Sequence, residues 1–339
     1  MKTSACVQAI SFYVPEKVET NADLQQQFGG KISEIVLKKV GVKKRHIATV
    51  GEPGSLLALK AAEKLFEEHS IRPEEIDALI YCSPHHDYIT PSTSCVLQYK
   101  LGLNRSIATY DLTFGCSGYV YALSLARSIT ETFGFKKVLL LTANIITKYI
   151  NPRDQASRII FGDAGSATLV VAEENTEKGI KDFVFGTDGS GFEKIIIRHG
   201  ADLKAADEDS WKEKTDEYGN VYSDGNFFMD GQAVLTFTMK NIPLLIEDTL
   251  RKNQLTKEDI DLFVLHQAND FMNEQVRKIA GIEKEKFYSH IEKYGNTVQA
   301  TIPIALKAAM AEGKIKSGSK VFVAGFGTGF SWCATVINF

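Results

Sequence analysis

Short apolar runs alternate along this chain with longer stretches in which apolar residues recur every three or four positions. The short runs predict buried strands at 78–82, 138–142, 167–171, 262–266 and 321–324. The longer stretches have the apolar spacing of amphipathic helices, at 56–69, 118–130 and 301–312. Because alternating strands and helices pack as layers of helix on sheet, we expect the α/β class.

The order of these elements occurs twice. Three pairs of segments match at a nearly constant separation along the chain: 73–82 with 256–266, 114–117 with 294–297 and 137–140 with 320–323. Three such matches in the same order indicate an internal duplication. We therefore predict two similar α/β halves, 1–174 and 175–339, with a polar insertion or surface loop near 200–226 in the second half.

The duplication relates residues that carry reactive groups. Cys116 becomes equivalent to Asn296, and His266 becomes equivalent to Cys82. If the halves pack about a pseudo-twofold axis, equivalent loops face each other, and a thiol, an imidazole and an amide meet in one pocket. A Cys-His-Asn set suits acyl transfer through a thioester. Taken singly, His266 is also typical of a structural histidine at a strand end, and Asn296 of an ordinary turn.

Cys116 stands between Gly115 and Gly118, immediately before a predicted helix. A helix N-terminus has free main-chain N–H groups and partial positive charge, which favour a thiolate over a thiol. The glycines permit a tight turn and close approach of a substrate. We therefore expect Cys116 to be a nucleophile, with an inert cysteine in a helix-entry turn as the alternative.

Five segments resemble the motifs of 3-oxoacyl-[acyl-carrier-protein] synthase III, a family of condensing enzymes with the thiolase fold. They lie at 114–118, 161–167, 266–269, 295–297 and 325–332, in the family's order and over essentially the whole chain. The resemblance implies a five-layer αβαβα sandwich of two βαβαβαββ halves. It also implies a homodimer without a cofactor, with acyl carrier protein as partner and acyl-coenzyme A as a possible second substrate carrier.

The resemblance implies a decarboxylative Claisen condensation that yields 3-oxoacyl-acyl carrier protein and initiates fatty acid synthesis. Cys116 would take the acyl group of a primer thioester, and a carbanion from malonyl-acyl carrier protein would attack it. His266 and Asn296 would donate hydrogen bonds to the malonyl thioester carbonyl. The main-chain N–H groups of Cys116 and Thr328 would form the oxyanion hole.

The resemblance also assigns substrate contacts. Ile35 and Gln155 stand where many members hold the adenine of coenzyme A between a tryptophan and an arginine. No stacking clamp is therefore expected, which disfavours acetyl-coenzyme A as primer. Asn269 and Phe326 are expected to contact substrate. Thr90 stands where a bulky residue commonly reaches the partner subunit's acyl pocket, so a longer or branched primer is expected to fit.

Docking of the carrier protein is assigned in the same way. Phe271 occupies the position of the family's usual docking arginine. Arg277 and Lys278 lie one to two turns further along the same predicted helix. We expect these two cations to take over the docking role.

The composition narrows the function classes. With 39 basic and 42 acidic residues, the net charge is −3, which gives no general basic field for nucleic acid. The apolar runs are far shorter than the roughly 20 residues of a membrane span, and the first residues do not resemble a signal peptide. The five cysteines are scattered without a CxxC pair, which predicts reduced thiols and no zinc site. We expect a cytoplasmic globular enzyme.

Two further segments and the overall function each permit another interpretation. The glycine run at 325–329 follows a strand, but too few residues remain for a dinucleotide-binding unit. We interpret His85-His86-Asp87 as a solvated loop rather than a metal site. The rival functions are a ketosynthase III-like enzyme of secondary metabolism with a non-acetyl primer, a Cys-His thioester hydrolase and a non-catalytic partner subunit.

Overall fold

The computed structural model describes residues 3–174, 176–217 and 219–339. The helices in these ranges are α1 (Asn21–Gln27), α2 (Glu34–Val40), α3 (Gly54–His69), α4 (Thr93–Lys100), α5 (Gly118–Phe133), α6 (Gln155–Arg158), α7 (Gly231–Lys252), α8 (Asp270–Ile279) and α9 (Thr301–Ala311). The strands are β1 (Thr3–Tyr13), β2 (Val18–Thr20), β3 (Lys44–His46), β4 (Ala78–Cys82), β5 (Ala108–Leu112), β6 (Lys137–Asn144), β7 (Ala164–Glu174), β8 (Gly179–Ile180), β9 (Val184–Thr187), β10 (Ile195–Ile196), β11 (Lys214–Thr215), β12 (Val221–Tyr222), β13 (Phe228–Met229), β14 (Leu262–Leu265), β15 (Lys320–Gly327) and β16 (Ser331–Asn338).

The first sheet has the strand order β1-β7-β6-β4-β5. β4 runs parallel to β5 and β6, whereas β7 runs antiparallel to β6 and to β1. β4 is wholly buried, and β6 is buried beyond its first residue, as strands covered on both faces must be. The strands predicted at 78–82, 138–142 and 167–171 are confirmed within β4, β6 and β7.

The second sheet repeats this arrangement. Its order is β14-β15-β16-β8, and β9 also pairs with β16. β14 and β15 are parallel, and β16 is antiparallel to β15 and β8, as β7 is to β6 and β1. The counterpart of β5 is a single parallel bridge between Phe263 and Phe287. The topology thus shows the same pairing pattern twice, while the boundary at 174/175 stays a prediction, since residue 175 lies outside the described ranges.

α5 and α9 lie between the two sheets. One buried cluster joins α5 and α9 to both sheets, with Leu123 and Leu306 packed among Ile80, Val264 and other strand residues. α3 and α4 cover the other face of the first sheet, and α7 and α8 cover the other face of the second. This order of helix, sheet, helix, sheet and helix confirms the predicted five-layer sandwich.

The central helices have the sequence that this position requires. α5 buries Ala122, Ala126 and Leu123, and small side chains let a helix approach a sheet closely. It ends at Gly134, whose φ of +72° is the left-handed conformation that favours glycine. Within the described part of the chain, no helix has the combined length and apolarity needed to cross a lipid bilayer.

Candidate active site

Cys116 lies in the turn between β5 and α5, two residues before the helix begins. The residue is only 8 % exposed. A β-carbon on Gly327 would come within 3.0 Å of the Cys116 sulfur, and one on Gly118 within 2.7 Å of the sulfur of Cys82. Glycine is therefore required at both positions, because the main chain packs directly against the two thiols.

One cavity of about 1450 Å³ is lined by all three predicted catalytic residues, Cys116, His266 and Asn296. The loops after β5 and β14 and the turn that precedes α9 therefore meet, as the duplication predicts. Three other predicted site residues line the same cavity, namely Asn269, Phe326 and Thr328. Asn269 also caps the N-terminus of α8, because its side chain accepts a hydrogen bond from the main-chain N–H of Met272 at 2.8 Å.

The ring of His266 is oriented by two residues near the start of α9. Its Nδ1 lies 2.7 Å from the Thr301 hydroxyl, and that hydroxyl lies 2.9 Å from the Val298 carbonyl oxygen. A carbonyl only accepts, so the hydroxyl donates to Val298 and Nδ1–H donates to the hydroxyl. Nε2 is then left with a lone pair, 3.5 Å from Nδ2 of Asn296.

The amide of Asn296 is oriented by the main chain. The N–H of Val298 donates to Oδ1 at 2.9 Å, which identifies that atom as the oxygen. Nδ2 donates to the carbonyl of Ala268 at 3.3 Å, and its second proton faces the lone pair on Nε2 of His266 at 3.5 Å. The amide oxygen is thus engaged by the main chain, and the N–H groups are shared between Ala268 and the long contact to His266.

Two main-chain N–H groups lie at the Cys116 sulfur. Hydrogen bonds from the N–H of Thr328, from its hydroxyl and from the N–H of Cys116 itself each act to lower the pKa of the thiol. Thr328 Oγ1 also packs on Gly115, where a β-carbon would come within 2.7 Å of it. Thr328 therefore supplies a hydroxyl in addition to its main-chain donor.

Burial nevertheless dominates the ionisation of the site. It raises the pKa of the Cys116 thiol to about 11 and lowers the pKa of His266 to about 3. Both groups are neutral at pH 7, because an apolar environment penalises the charged form. The hydrogen bonds act toward the thiolate, the direction predicted for the helix N-terminus, but desolvation has the larger effect on the pKa.

The raised pKa of Cys116 predicts a steep pH dependence of its reactivity. Only the thiolate reacts, and its fraction rises about tenfold per pH unit below the pKa. We expect the rate of Cys116 alkylation by iodoacetamide to rise about tenfold per unit between pH 7 and 9. The rate is measured by mass spectrometry of the Cys116 peptide in a Cys95→Ser variant, which lacks the exposed thiol. A rate that does not change over this range would contradict the assignment.

The remaining predicted substrate residues lie away from the cavity. Ile35 is 68 % exposed on α2, and Thr90 is exposed in the loop before α4. Gln155 begins α6, where only its neighbour Ala156 lines the cavity. The structure thus does not bring these three residues to the catalytic group.

The sequence did not predict the aromatic walls of the cavity. Phe237 stacks on Phe330 with ring centroids 4.3 Å apart, and Phe161 meets Phe227 edge-on at 5.2 Å. All four rings line the cavity, together with Asp216, Glu217, Asn220 and Tyr222 of the polar insertion. Residues of the predicted polar insertion thus contribute to the cavity wall. No local pattern marks them, because the strands and helices that carry the walls are far apart in the chain.

Only one of the two neighbouring histidines agrees with the solvated loop predicted for them. His86 is exposed, whereas His85 lines the cavity and stacks on Tyr149 with ring centroids 4.6 Å apart. Among the described residues, no group of three or more histidine, cysteine, aspartate or glutamate side chains is placed to hold a metal ion.

Comparison with known proteins gives a consistent result. Residues 110–189 match the family described as 3-oxoacyl-[acyl-carrier-protein (ACP)] synthase III, and residues 250–339 match its C-terminal part. The beta-ketoacyl-[acyl-carrier-protein] synthase III of Caldanaerobacter subterraneus subsp. tengcongensis is 32 % identical over 337 residues, which are 99 % of this chain and 98 % of that protein. The enzyme of the same name from Clostridium perfringens is 34 % identical over 326 residues, 96 % of each chain.

The fold agrees with these sequence relationships. A 3-oxoacyl-(acyl-carrier-protein) synthase III solved at 2.1 Å superposes with a TM-score of 0.97 and 39 % identity, covering 99 % of this chain and all of that one. The two named enzymes and this solved structure thus each match nearly the whole length of the chain. The chain therefore belongs to the 3-oxoacyl-[acyl-carrier-protein] synthase III family of condensing enzymes.

Proposed function

We propose that this protein joins an acyl primer to malonyl-acyl carrier protein through an acyl-cysteine on Cys116, without a cofactor. The observation that carries the proposal is the meeting of Cys116, His266 and Asn296 in one largely apolar cavity. Cys116 is the nucleophile, His266 is the proton acceptor and Asn296 is the hydrogen-bond donor. A thioester hydrolase would leave the oriented N–H of Asn296 without a role.

In the first stage the sulfur attacks the thioester carbonyl of the primer. The thiol loses its proton as the bond forms, and the lone pair on Nε2 of His266 is suited to accept it. The carbonyl oxygen becomes negative and is stabilised by the N–H groups of Cys116 and Thr328. The carrier thiolate leaves and takes up the proton, so the imidazole returns to its neutral form.

In the second stage the malonyl carboxylate leaves as carbon dioxide, and its electron pair forms an enolate on the thioester oxygen. Nδ2 of Asn296 donates to that oxygen as its charge develops. His266 becomes a second donor when Nε2 holds a proton, which the negative enolate favours. The enolate carbon then forms a bond to the acyl carbon, the C–S bond to Cys116 breaks, and the sulfur takes up the one proton that this stage draws from solvent, with His266 suited to pass it on.

The apolar walls support this stage in two ways. They penalise the carboxylate of the malonyl group more than neutral carbon dioxide, which favours its loss. They also keep water from protonating the enolate before it meets the acyl-cysteine. Four phenylalanines in the cavity wall, Phe161, Phe227, Phe237 and Phe330, carry this role.

Mass spectrometry of the Cys116 peptide tests the proposal. The protein is incubated with an acyl thioester and then with malonyl-acyl carrier protein. We expect an acyl group on Cys116 that disappears only when the malonyl substrate is added, with release of carbon dioxide and a 3-oxoacyl product. Turnover without the malonyl substrate would indicate a hydrolase, and an unlabelled Cys116 would indicate a non-catalytic partner subunit.

We further infer that the primer is larger than acetyl or is delivered by a carrier protein. Ile35 is exposed and Gln155 has no ring or guanidinium, so neither supplies the adenine clamp. The cavity of about 1450 Å³ also exceeds what a two-carbon group fills. The same observations favour a second candidate, a ketosynthase III-like enzyme of secondary metabolism with a non-acetyl primer.

A homodimer forms part of the proposal. Thr90 lies in an exposed loop beside Tyr88 and Ile89, two large apolar side chains that are also exposed. Burial of such side chains against a second subunit would stabilise the pair. The small Thr90 would then leave room in the partner subunit's acyl pocket.

Docking of the carrier protein is proposed for the surface formed by α2 and the first turn of α8. Arg277 is unsuited to docking, because its guanidinium pairs with Glu274 at 2.7 Å and donates to the Ile282 carbonyl at 2.6 Å. Lys278 stays exposed. The ammonium of Lys39 lies 5.8 Å from the ring centroid of Phe271, one residue before the cavity-lining Met272. Lys278 lies in the last turn of α8, with its ammonium 3.6 Å from the Glu274 carboxylate, so Lys39 is the cation that an acidic carrier protein would meet beside the cavity.

We expect Lys39→Glu to raise KM for malonyl-acyl carrier protein about tenfold with little change in kcat, because a charge at the rim of an interface acts mainly on association. Steady-state kinetics with the intact carrier protein measures this. Lys136→Glu is the matched control. That lysine is exposed and immediately precedes β6, whereas the cavity residue Asn144 lies at the other end of the strand. Equal KM values for the two variants would place docking elsewhere. Acylation of Cys116 by a small thioester should stay unchanged in both.

A further inference from the structure

Two buried serines join the turn that carries Cys116 to the loop that carries Thr328. The hydroxyl oxygens of Ser117 and Ser331 lie 2.7 Å apart, although 214 positions separate the two residues in the chain. Both residues are buried, so this hydrogen bond is shielded from water. Neither hydroxyl takes part in the two stages of the reaction.

A second hydrogen bond fixes the direction of the first. Ser331 Oγ lies 3.0 Å from the main-chain carbonyl oxygen of Thr328. Because a carbonyl only accepts, the Ser331 hydroxyl donates its one proton to Thr328, and the Ser117 hydroxyl donates to Ser331. Ser117 and Ser331 thus form a serine relay. It runs from the residue after Cys116 to the residue whose N–H faces the Cys116 sulfur.

The hydroxyl of Ser117 does not have the use that its position favours. Ser117 immediately precedes α5, and a serine there normally accepts a hydrogen bond from a main-chain N–H of the helix. No such bond forms to the first turn of α5, all of which lies within the described ranges. The hydroxyl instead reaches Ser331, the first residue of β16 in the second sheet.

The loop that carries Thr328 needs a tether because of its glycines. Thr328 lies between Gly327 and Gly329, whose φ angles of +151° and +69° are conformations that favour glycine. A glycine on each side allows the Thr328 main chain many conformations, only some of which direct its N–H to the sulfur. The bond from Ser331 to the Thr328 carbonyl restricts that freedom at the residue itself.

Packing alone sets the distance between the two segments but not their orientation. A β-carbon on Gly325 would come within 2.9 Å of the Ser117 Cα, and one on Gly327 within 2.8 Å of the Cys116 Cβ. The main chain of β15 therefore lies directly against the turn before α5. Hydrogen bonds depend on angle as well as distance, so the serine relay adds the orientation that this contact lacks.

We propose that Ser117 and Ser331 are positioning residues that hold the two N–H groups of the oxyanion hole, those of Cys116 and Thr328, at a fixed spacing. The inference rests on the proposed function, because those N–H groups stabilise the oxyanion of acyl transfer. A donor stabilises a developing charge fully only when its position is set in advance, and a misplacement of about 1 Å can cost about 10²-fold in rate.

The test compares two activities of Ser331→Ala. Acylation of Cys116 by the N-acetylcysteamine thioester of hexanoate uses the oxyanion hole and should become about 10- to 100-fold slower. Release of carbon dioxide from malonyl-acyl carrier protein without a primer depends on His266 and Asn296, so it should change by less than about twofold. Intact-protein mass spectrometry gives the acylation rate, and release of carbon dioxide is measured directly.

Two further variants assign the effect to the serine relay. Ser117→Ala removes only the donor to Ser331 and should slow acylation by about 3- to 10-fold. Because Ser117 acts through Ser331, the double variant should be no slower than Ser331→Ala alone. Thr142→Val is the matched control. It breaks a second buried hydroxyl pair, to Ser166 at 2.7 Å, that does not line the cavity, so it should lower the melting temperature but not the acylation rate.

The outcomes separate the inference from the proposed function. Acylation at the wild-type rate in Ser331→Ala, or an equal loss of acylation and decarboxylation, would overturn the inference alone. A double variant whose loss is the product of the two single losses would do the same. If Ser331→Ala does not fold, Ser117→Ala provides the same comparison of the two activities. Failure of the wild type to acquire an acyl group on Cys116 would overturn the proposed function itself.

Discussion

Replacement of Cys116 by alanine is expected to abolish acyl attachment to the protein and to lower 3-oxoacyl product formation by more than about 10³-fold. The alanine side chain has no nucleophile, and the three other buried cysteines that the structure describes lie outside the cavity lining. Intact mass after incubation with an acyl thioester measures the first effect, and product formation measures the second.

The same variant separates the two stages of the reaction. Loss of carbon dioxide from malonyl-acyl carrier protein depends on the donors at His266 and Asn296, which the substitution leaves in place. We therefore expect slow decarboxylation without condensation. Cys95→Ala, at the exposed cysteine, is the control and should behave as the wild type. An acyl group found on Cys116→Ala would show that another residue is the nucleophile.

Substitution of Asn296 is expected to give the second largest loss. Removing its Nδ2 donor should lower condensation by about 10²- to 10³-fold, the usual effect of losing one donor at a developing oxyanion. Acylation of Cys116 should change by only a few fold, because the oxyanion hole of the first stage is made by the N–H groups of Cys116 and Thr328. Single-turnover measurements of each stage test this split.

Asn296→Asp is the sharper of two possible variants. Asn296→Ala leaves the buried N–H of Val298 without its acceptor, which costs about 1–3 kcal/mol of stability. Asn296→Asp keeps an oxygen at 2.9 Å from that N–H and replaces the donor by a carboxyl oxygen, which faces the Ala268 carbonyl and Nε2 of His266. Thermal unfolding of both variants distinguishes a loss of fold from a loss of function. An equal decrease of acylation and condensation in Asn296→Asp would contradict the role assigned to the amide.

The repeated elements could be predicted from the sequence because their signals are local. The helix predicted at 118–130 is α5 (Gly118–Phe133), and the one predicted at 301–312 is α9 (Thr301–Ala311). Both fill the central layer, where a helix must bury residues around most of its surface, so few polar residues interrupt the pattern. Small β10 and β13 were not predicted, since two-residue strands carry no periodicity.

The three residues brought together at the site were predictable for a similar reason. Each lies in a turn at an element boundary, next to glycine or after a buried strand, and the duplication relates those turns to one another. Arg277 shows the limit of this reasoning. Its place on α8 was predicted, and its pair with Glu274 is a local contact within that helix, but its bond to the Ile282 carbonyl depends on how the chain returns after the helix.

The sequence by itself determined the layered fold, the duplicated order of strands and helices, and the identity of the thiol, imidazole and amide. Tertiary structure alone decided their chemical states. Cys116 is a neutral thiol because strands and helices from both halves exclude water from it, and His266 is oriented by Thr301, 35 residues away. Hydrophobic periodicity is encoded among neighbours in the chain, whereas desolvation and hydrogen-bond geometry arise only where distant segments meet.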